Sequence, residues 1–325
     1  MDDVTVESGE TRYDPVHNRW TVYVPGRAGR PGGRAVGRRL RARARIDSEC
    51  PFCPGNETML PTILRERVDA STSGWSTRTV PNRYPLVVAA ADDLTGHHDV
   101  VIESPRHDRD FVDLDAPHQA DIVATWRDRY RELAARWTSV VIFRNHGPRG
   151  GASLAHAHSQ IVALDRPTPM MEGLERRCAR HFARTRRALV HETVERELAT
   201  GDRLITRNRP FAAFIPYWAE VPYEIWIAPV RRQSDFGALR DSDIDDLAGV
   251  LGDALSRLAQ RAGNPDYNLT IHGASRGRRR SDDACWFVRI RPRITESGGF
   301  EYASGMSVNP SLPERDAAIL RGTEN

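Results

Sequence analysis

Two histidines and a glutamine stand at alternating positions in Ser153-Leu154-Ala155-His156-Ala157-His158-Ser159-Gln160, after the small residues Gly150-Gly151-Ala152 and before the apolar run Ile161-Val162-Ala163-Leu164. In an extended strand, residues two apart share a face, so this spacing predicts three polar groups converging on one site. That is a poor way to build a core and a good way to build a reactive centre. An imidazole held in one tautomer by a backbone carbonyl attacks phosphorus through its other nitrogen, which makes His158 the candidate nucleophile. A glutamine one step further along the face binds phosphate oxygens without acting as an acid, the role expected of Gln160.

A second chemical signal is Cys50-Pro51-Phe52-Cys53-Pro54-Gly55-Asn56-Glu57. Two thiolates at this spacing suit one zinc ion, which takes four ligands from cysteine and histidine. The best remaining donors are His107 and His156, with His97, His98 and His146 as alternatives. A redox pair shares the spacing, but it belongs between a strand and a helix start in a βαβ unit, and this Pro- and Gly-rich loop does not. If His156 binds the ion, His158, with its Cα roughly 6–7 Å away along a strand, is left for catalysis.

The elements that must carry these groups follow one order twice. Asn82-Arg83-Tyr84-Pro85, a strand at Asp99–Glu103, a helix from about Ala116 to Trp137, a strand at Ser139–Asn145 and the histidine-rich strand make the first series. Asn208-Arg209-Pro210-Phe211, a strand at Tyr223–Pro229, a helix from about Ser242 to Gln260, and strands at Tyr267–Gly273 and Trp286–Ile290 make the second. Apolar spacing at Ile122, Trp126, Tyr130 and Leu133, and at Ile244, Leu247, Val250, Leu251 and Leu255, marks the core faces of the two helices. The pattern predicts an α+β fold of two diverged copies with antiparallel sheets and flanking helices. We place the domains at 1–166 and 167–325. A further helical stretch is expected over Glu172 to Leu198. His97 and His98 read as surface or strand-edge residues, and Cys178 and Cys285 as small buried hydrophobes.

Near the N-terminus a strand ending at Val24-Pro25 runs into a Gly- and Arg-rich loop, in which Arg27 and Arg30 are candidate phosphate-binding groups. The sequence contains no lysine, so all 47 basic residues are arginines and mechanisms that need a lysine are excluded. A net charge of +3 is too small to require a polyanionic partner, and no aromatic-basic stacking face argues for nucleic acid, so a zinc-stabilised nucleic-acid-binding protein is the weakest of three readings. No apolar run reads as a signal peptide or membrane span; a cytoplasmic protein without a membrane partner is expected.

Cys50 to Glu57, Val80-Pro81-Asn82-Arg83-Tyr84-Pro85, Ser104-Pro105-Arg106-His107 and Phe143-Arg144-Asn145-His146-Gly147 through His156-Ala157-His158-Ser159-Gln160 together resemble the galactose-1-phosphate uridylyltransferase family, the transferase branch of the histidine-triad superfamily. The resemblance runs in order from about Tyr13 to Arg321. It implies two fused histidine-triad-like domains, a homodimer, and a ping-pong reaction in which His158 takes a nucleoside monophosphate from a nucleotide sugar and passes it to a sugar 1-phosphate. By position it implies zinc ligation by Cys50, Cys53, His107 and His156, a phosphoryl contact from Gln160, and nucleotide or phosphate binding by Asn82, Asn145, Ser153, Arg27 and Arg30. The leading expectation is transfer of UMP; the alternative is a phosphorylase using inorganic phosphate, or a nucleotidyltransferase starting from a nucleoside triphosphate. The C-terminal half departs from the family pattern, with Arg232 and Cys285-Trp286-Phe287 where many members carry histidines, so a second metal is not expected. Phe300, Glu301 and Gly305 retain only part of the acceptor-binding pattern.

Overall fold

The computed structural model describes residues 9–29, 44–68, 74–90 and 93–323. The chain opens with a hairpin of β1 (Glu10–Asp14) and β2 (Arg19–Tyr23), turned at Asn18 in the left-handed region, φ 58°. The strands of the first half are β3 (Arg65–Val68), β4 (Trp75–Pro81), β5 (Gly96–Ile102), β6 (Ser139–His146) and β7 (His158–Leu164), with helix α1 (Ala116–Ala134) between β5 and β6. Helices α2 (Pro169–Thr185) and α3 (Leu189–Thr200) follow. The second half supplies β8 (Leu204–Arg207), β9 (Phe211–Phe214), β10 (Ile225–Pro229), β11 (Tyr267–His272) and β12 (Phe287–Pro292), with α4 (Ile244–Arg261) between β10 and β11. A short α5 (Gly299–Ser304), β13 (Ser307–Asn309) and α6 (Pro313–Arg321) close the described chain.

Ten strands form one antiparallel sheet in the order β3-β4-β5-β7-β6-β11-β12-β10-β9-β8. The order reads the same outward from its centre, since β6, β7, β5 and β4 on one side match β11, β12, β10 and β9 on the other. This is the α+β arrangement of two fused histidine-triad-like units, with their sheets joined edge to edge where β6 pairs with β11 from Tyr267↔His146 to Ile271↔Ile142. Fusion gives each unit's exposed edge a partner, the usual remedy for an unpaired strand. The hairpin is extended separately when β13 adds in parallel to β2.

Both principal helices lie on one face of the sheet and share a core with it. Ile122 and Trp126 of α1 and Leu247, Leu251 and Leu255 of α4 bury against Ile161, Leu269 and Ile290. The Trp126 indole also donates to Ser159 Oγ at 2.6 Å. With Ser159 and Ile161 pointing at the helices, His158 and Gln160 necessarily point to the opposite face.

Two local expectations need correction. Strand β7 begins only at His158, and residues 153–156 form bends, so the shared strand face holds for His158 and Gln160 while His156 sits just before it. The helix expected from Glu172 to Leu198 is two helices, because Arg186 adopts φ 59° at the end of α2 and turns the chain; an L-residue in that conformation cannot continue a right-handed helix.

Candidate active site

The metal-ligating candidates meet in space. The ligand atoms of Cys50, Cys53, His107 and His156 lie within 4.8 Å of one another, and all four residues are buried. Cys50 Sγ is 3.6 Å and Cys53 Sγ 3.6 Å from His156 Nδ1, and Cys53 Sγ is 3.5 Å from His107 Nδ1. A tetrahedral zinc with Zn–S of about 2.3 Å and Zn–N of about 2.05 Å has S···N edges of about 3.6 Å, which these three distances match. His156 Nε2 lies 2.7 Å from the Ser104 carbonyl, which only accepts. The proton is therefore on Nε2, and Nδ1 presents a lone pair between the two sulfurs, as a metal ligand must. Burial, together with the adjacent Cys53, pushes the Cys50 thiol up to about 11. A buried thiol pair of this kind becomes thiolate readily only with a cation.

The other histidines considered as donors are engaged elsewhere. His146 Nε2 is 2.8 Å from Asp110, and His97 Nε2 is 2.7 Å from Asp99. Phe52, between the two cysteines, packs its ring against His156 and His158 at centroid distances of 5.9 and 5.4 Å. Val80, Val100 and Ile102 complete a small apolar cluster around the cysteines.

His158 is buried, with Nδ1 2.8 Å from the carbonyl oxygen of His156. That bond places the proton on Nδ1 and leaves the Nε2 lone pair free. Burial holds this imidazole below its ordinary pKa; the His156 carbonyl and the Glu103 carboxylate oppose the shift, and Arg144 adds to it. His158, Asn145, Gly147, Ser153 and His156 border a cavity of about 370 Å³. Asn145 comes from β6 and Ser153 from the loop between β6 and β7. That loop turns at Gly147, φ +73°, where a Cβ would lie 2.0 Å from Asp266 Oδ1, and at Gly151, φ +84°. Its shape is set from the second half of the chain: Asp266 accepts from the Arg149 amide at 2.7 Å, and Asn268 Nδ2 donates to the Gly150 carbonyl at 2.6 Å and to Asn145 Oδ1 at 2.8 Å.

Gln160, partly buried on the same face, lies with Oε1 2.9 Å from His98 Nε2 and 3.5 Å from Asn82 Nδ2. Asn82, Asn145, Ser153, His158 and Gln160 therefore fall along one side of the sheet. Arg27 is exposed in the turn Pro25–Gly29, and Arg30 lies outside the described residues. Beneath the site runs a buried charge network in which Arg144 Nε meets Glu103 Oε2 at 2.9 Å, its NH1 donates to Tyr267 Oη at 2.7 Å, and its NH2 pairs with Asp110. Asn268, Glu103 and His98 escaped the sequence reading. For His98 that reading was wrong, because the side chain is buried against Gln160 and not at the surface.

A second group, Asp14, His17 and Glu220, also brings its ligand atoms within 4.8 Å. Its donor set does not suit a cation. The Glu220 carboxylate is already met by Arg289 at 3.1 Å, Arg291 at 3.2 Å and Arg19 at 3.4 Å, and Asp14 is taken up by His17 Nδ1 at 2.7 Å and by the Val16 and His17 amides. A divalent ion there would stand beside three fixed positive charges. No helix among the described residues is long and apolar enough to cross a membrane.

The N-terminal domain of galactose-1-phosphate uridyl transferase matches residues 2–167. An ADP-glucose phosphorylase of Arabidopsis thaliana is 31% identical across 98% of this chain and 94% of its own length. A galactose-1-phosphate uridylyltransferase of Haemophilus influenzae is 26% identical across 75% of this chain and 72% of its own. Among solved structures, an Arabidopsis thaliana ADP-glucose phosphorylase with bound ADP-glucose superposes with a TM-score of 0.84 at 31% identity, covering 98% of this chain and 100% of that one. A uridylyltransferase structure does so with a TM-score of 0.73 at 26% identity, covering 97% and 98%.

Proposed function

The chain belongs to the galactose-1-phosphate uridylyltransferase family of nucleotidyltransferases, and on that premise we propose that it moves a nucleoside monophosphate from a nucleotide sugar through a covalent nucleotidyl-His158. The observation that carries this reading is the bond from His158 Nδ1–H to the His156 carbonyl, which commits the opposite nitrogen of a buried ring to attack at the cavity it borders.

The Nε2 lone pair forms an N–P bond at the α-phosphorus while the P–O bond to the sugar phosphate breaks and its electron pair leaves with that oxygen. The Nδ1 proton stays on the ring throughout, and the His156 carbonyl stabilises the positive charge that develops there. In the second half-reaction an acceptor phosphate oxygen attacks the same phosphorus, and the electron pair of the N–P bond returns to Nε2. Gln160, Asn145 and Ser153 supply neutral donors toward the phosphoryl oxygens, where preorganised dipoles offset charge in flight. Asn82 borders the nucleotide side of this site. A zinc ion held by Cys50, Cys53, His107 and His156 would have all four positions filled and would supply rigidity beneath the nucleophile.

For donor and acceptor, the family resemblance in the sequence favours UMP passing to a hexose 1-phosphate, and the uridylyltransferase relatives support that version. The higher identity and near-complete coverage of the ADP-glucose phosphorylase favour AMP leaving a nucleotide sugar with inorganic phosphate as acceptor. We adopt the phosphorylase version as the working assignment. Intact-protein mass spectrometry after exposure to ADP-glucose or UDP-glucose reads the nucleotide from the mass gained. Discharge of the adduct by inorganic phosphate or by glucose 1-phosphate then reads the acceptor. A His158→Ala protein that still gained the nucleotide would overturn the mechanism.

A further inference from the structure

We propose that His98 is a positioning residue that turns the Gln160 amide so that its NH2 group faces the transferred phosphoryl group; this rests on the reading that Gln160 contacts that group. His98 lies on β5 and Gln160 on β7. The register His98↔Val162 and Val100↔Gln160 makes them diagonal neighbours on one face. His98 is buried; its Nδ1 faces the Leu86 amide, and its Nε2 has two polar neighbours, Gln160 Oε1 at 2.9 Å and Asn82 Nδ2 at 3.2 Å.

The Leu86 backbone N–H points at His98 Nδ1 from 3.1 Å. A backbone amide only donates, so Nδ1 is the unprotonated nitrogen and the proton sits on Nε2. The side-chain atom of Gln160 at 2.9 Å from Nε2 must then be an acceptor, which makes it Oε1 and not the amide nitrogen. Asn82 strengthens the same choice. Its Oδ1 accepts from the Tyr84 amide at 2.8 Å, which places its Nδ2 3.2 Å from His98 Nε2 and 3.5 Å from Gln160 Oε1; with the Leu86 amide holding the ring proton on Nε2, the Gln160 oxygen is the one of these two neighbours that can accept from it. Both contacts thus fall on the Gln160 oxygen. The two N–H groups of Gln160 remain for the phosphoryl oxygens. A flipped amide would aim its oxygen at an anionic group and lose the donor, so the fixed tautomer of His98 converts a side chain with two near-equivalent orientations into a dedicated donor.

Two conservative substitutions separate this role from simple packing. His98→Gln keeps a donor near the Nε2 position, within reach of Gln160. His98→Asn keeps an acceptor near the Nδ1 position for Leu86 but cannot reach Gln160. With ADP-glucose and UDP-glucose as probes, the rate of nucleotidyl-protein formation is followed by rapid quench and mass spectrometry, alongside steady-state kcat and KM. His98→Asn should slow adduct formation about tenfold to a hundredfold, below the roughly 10²–10³-fold of losing such a donor outright, through kcat with KM little changed, and His98→Gln should restore most of it. His98→Ala made in a Gln160→Ala background should cost nothing further. A His98→Asn protein as fast as wild type, or a His98→Ala loss as large in the Gln160→Ala background as in the wild type, would overturn the proposal. Should both conservative variants be slow, that double-variant comparison decides between the two outcomes. A wild type that gains no nucleotide sinks the functional reading and this inference with it, whereas a wild type that gains it beside an unaffected His98→Asn sinks the inference alone.

Discussion

Replacing Gly147 by alanine tests how the loop between β6 and β7 is held, and Gly201, another positive-φ glycine, provides a reference. Both glycines have φ +73°, with ψ 168° at 147 and −14° at 201, and a Cβ at 201 meets nothing within 4 Å whereas one at 147 lies 2.0 Å from Asp266 Oδ1 and 2.2 Å from its Cγ. An L-residue in the left-handed conformation of Gly201 costs roughly 1–2 kcal/mol, and Gly201→Ala should lose that and no more; the conformation of Gly147 is essentially confined to glycine and costs an L-residue about 1–3 kcal/mol. At 147 the Asp266 carboxylate must also swing away, breaking the 2.7 Å bond it accepts from the Arg149 amide. A hydrogen bond to a charged group contributes about 1.5–3 kcal/mol, which brings Gly147→Ala to roughly 3–6 kcal/mol. The displaced loop carries Ser153 and leans on Asn145, and misplacing reacting groups by about 1 Å costs on the order of 10²-fold in rate. Calorimetric melting of both variants, with adduct formation on His158 measured in parallel, checks the argument. Gly147→Ala should melt several degrees below Gly201→Ala and form the adduct far more slowly, while Gly201→Ala keeps the wild-type rate. Equal melting of the two variants, together with an unchanged adduct rate in Gly147→Ala, would refute it.

Two further outcomes are expected. Cys53 Sγ stands close to both ligand histidines, so purified wild type should carry about one zinc per chain, and Cys53→Ser should lower both metal content by elemental analysis and melting temperature. Cys178→Ser, a buried thiol remote from that cluster, should leave zinc content unchanged; equal loss in both variants would refute the ligand set. Burial would raise the Glu220 carboxyl, but the guanidinium groups of Arg289, Arg291 and Arg19 hold it down to about 2 from an ordinary value of 4.5. Because the folded pKa is depressed, the stability from this group is fully present above pH 4.5 and is lost as pH falls from there toward 2. The stability gap between wild type and Glu220→Gln should therefore narrow across that window in denaturant titrations at stepped pH, and a gap that stayed constant would argue against the ion-pair cluster.

Short-range chemistry was legible in the chain itself. The spacing of Cys50 and Cys53, the alternation of His158 and Gln160, and the twice-repeated order of strand, helix and strand pair rest on interactions within a few residues or on periodicity. They therefore predicted the α+β class, the candidate nucleophile and the metal candidates. Tertiary structure decided what depends on neighbours distant in sequence. His107 and His156 meet Cys53 across separations of 54 and 103 residues, which no local pattern encodes. The loop that precedes His156 is held at Arg149 and Gly150 by Asp266 and Asn268, more than a hundred residues away. His98 looked like a surface or strand-edge residue because it stands between two polar residues, His97 and Asp99. Only the packing of β5 beside β7, and the Leu86 amide laid against its ring, give it a fixed proton and a partner. A tautomer is set by whatever approaches through space, so spacing along the chain could locate the reacting groups but not the side chains that orient them.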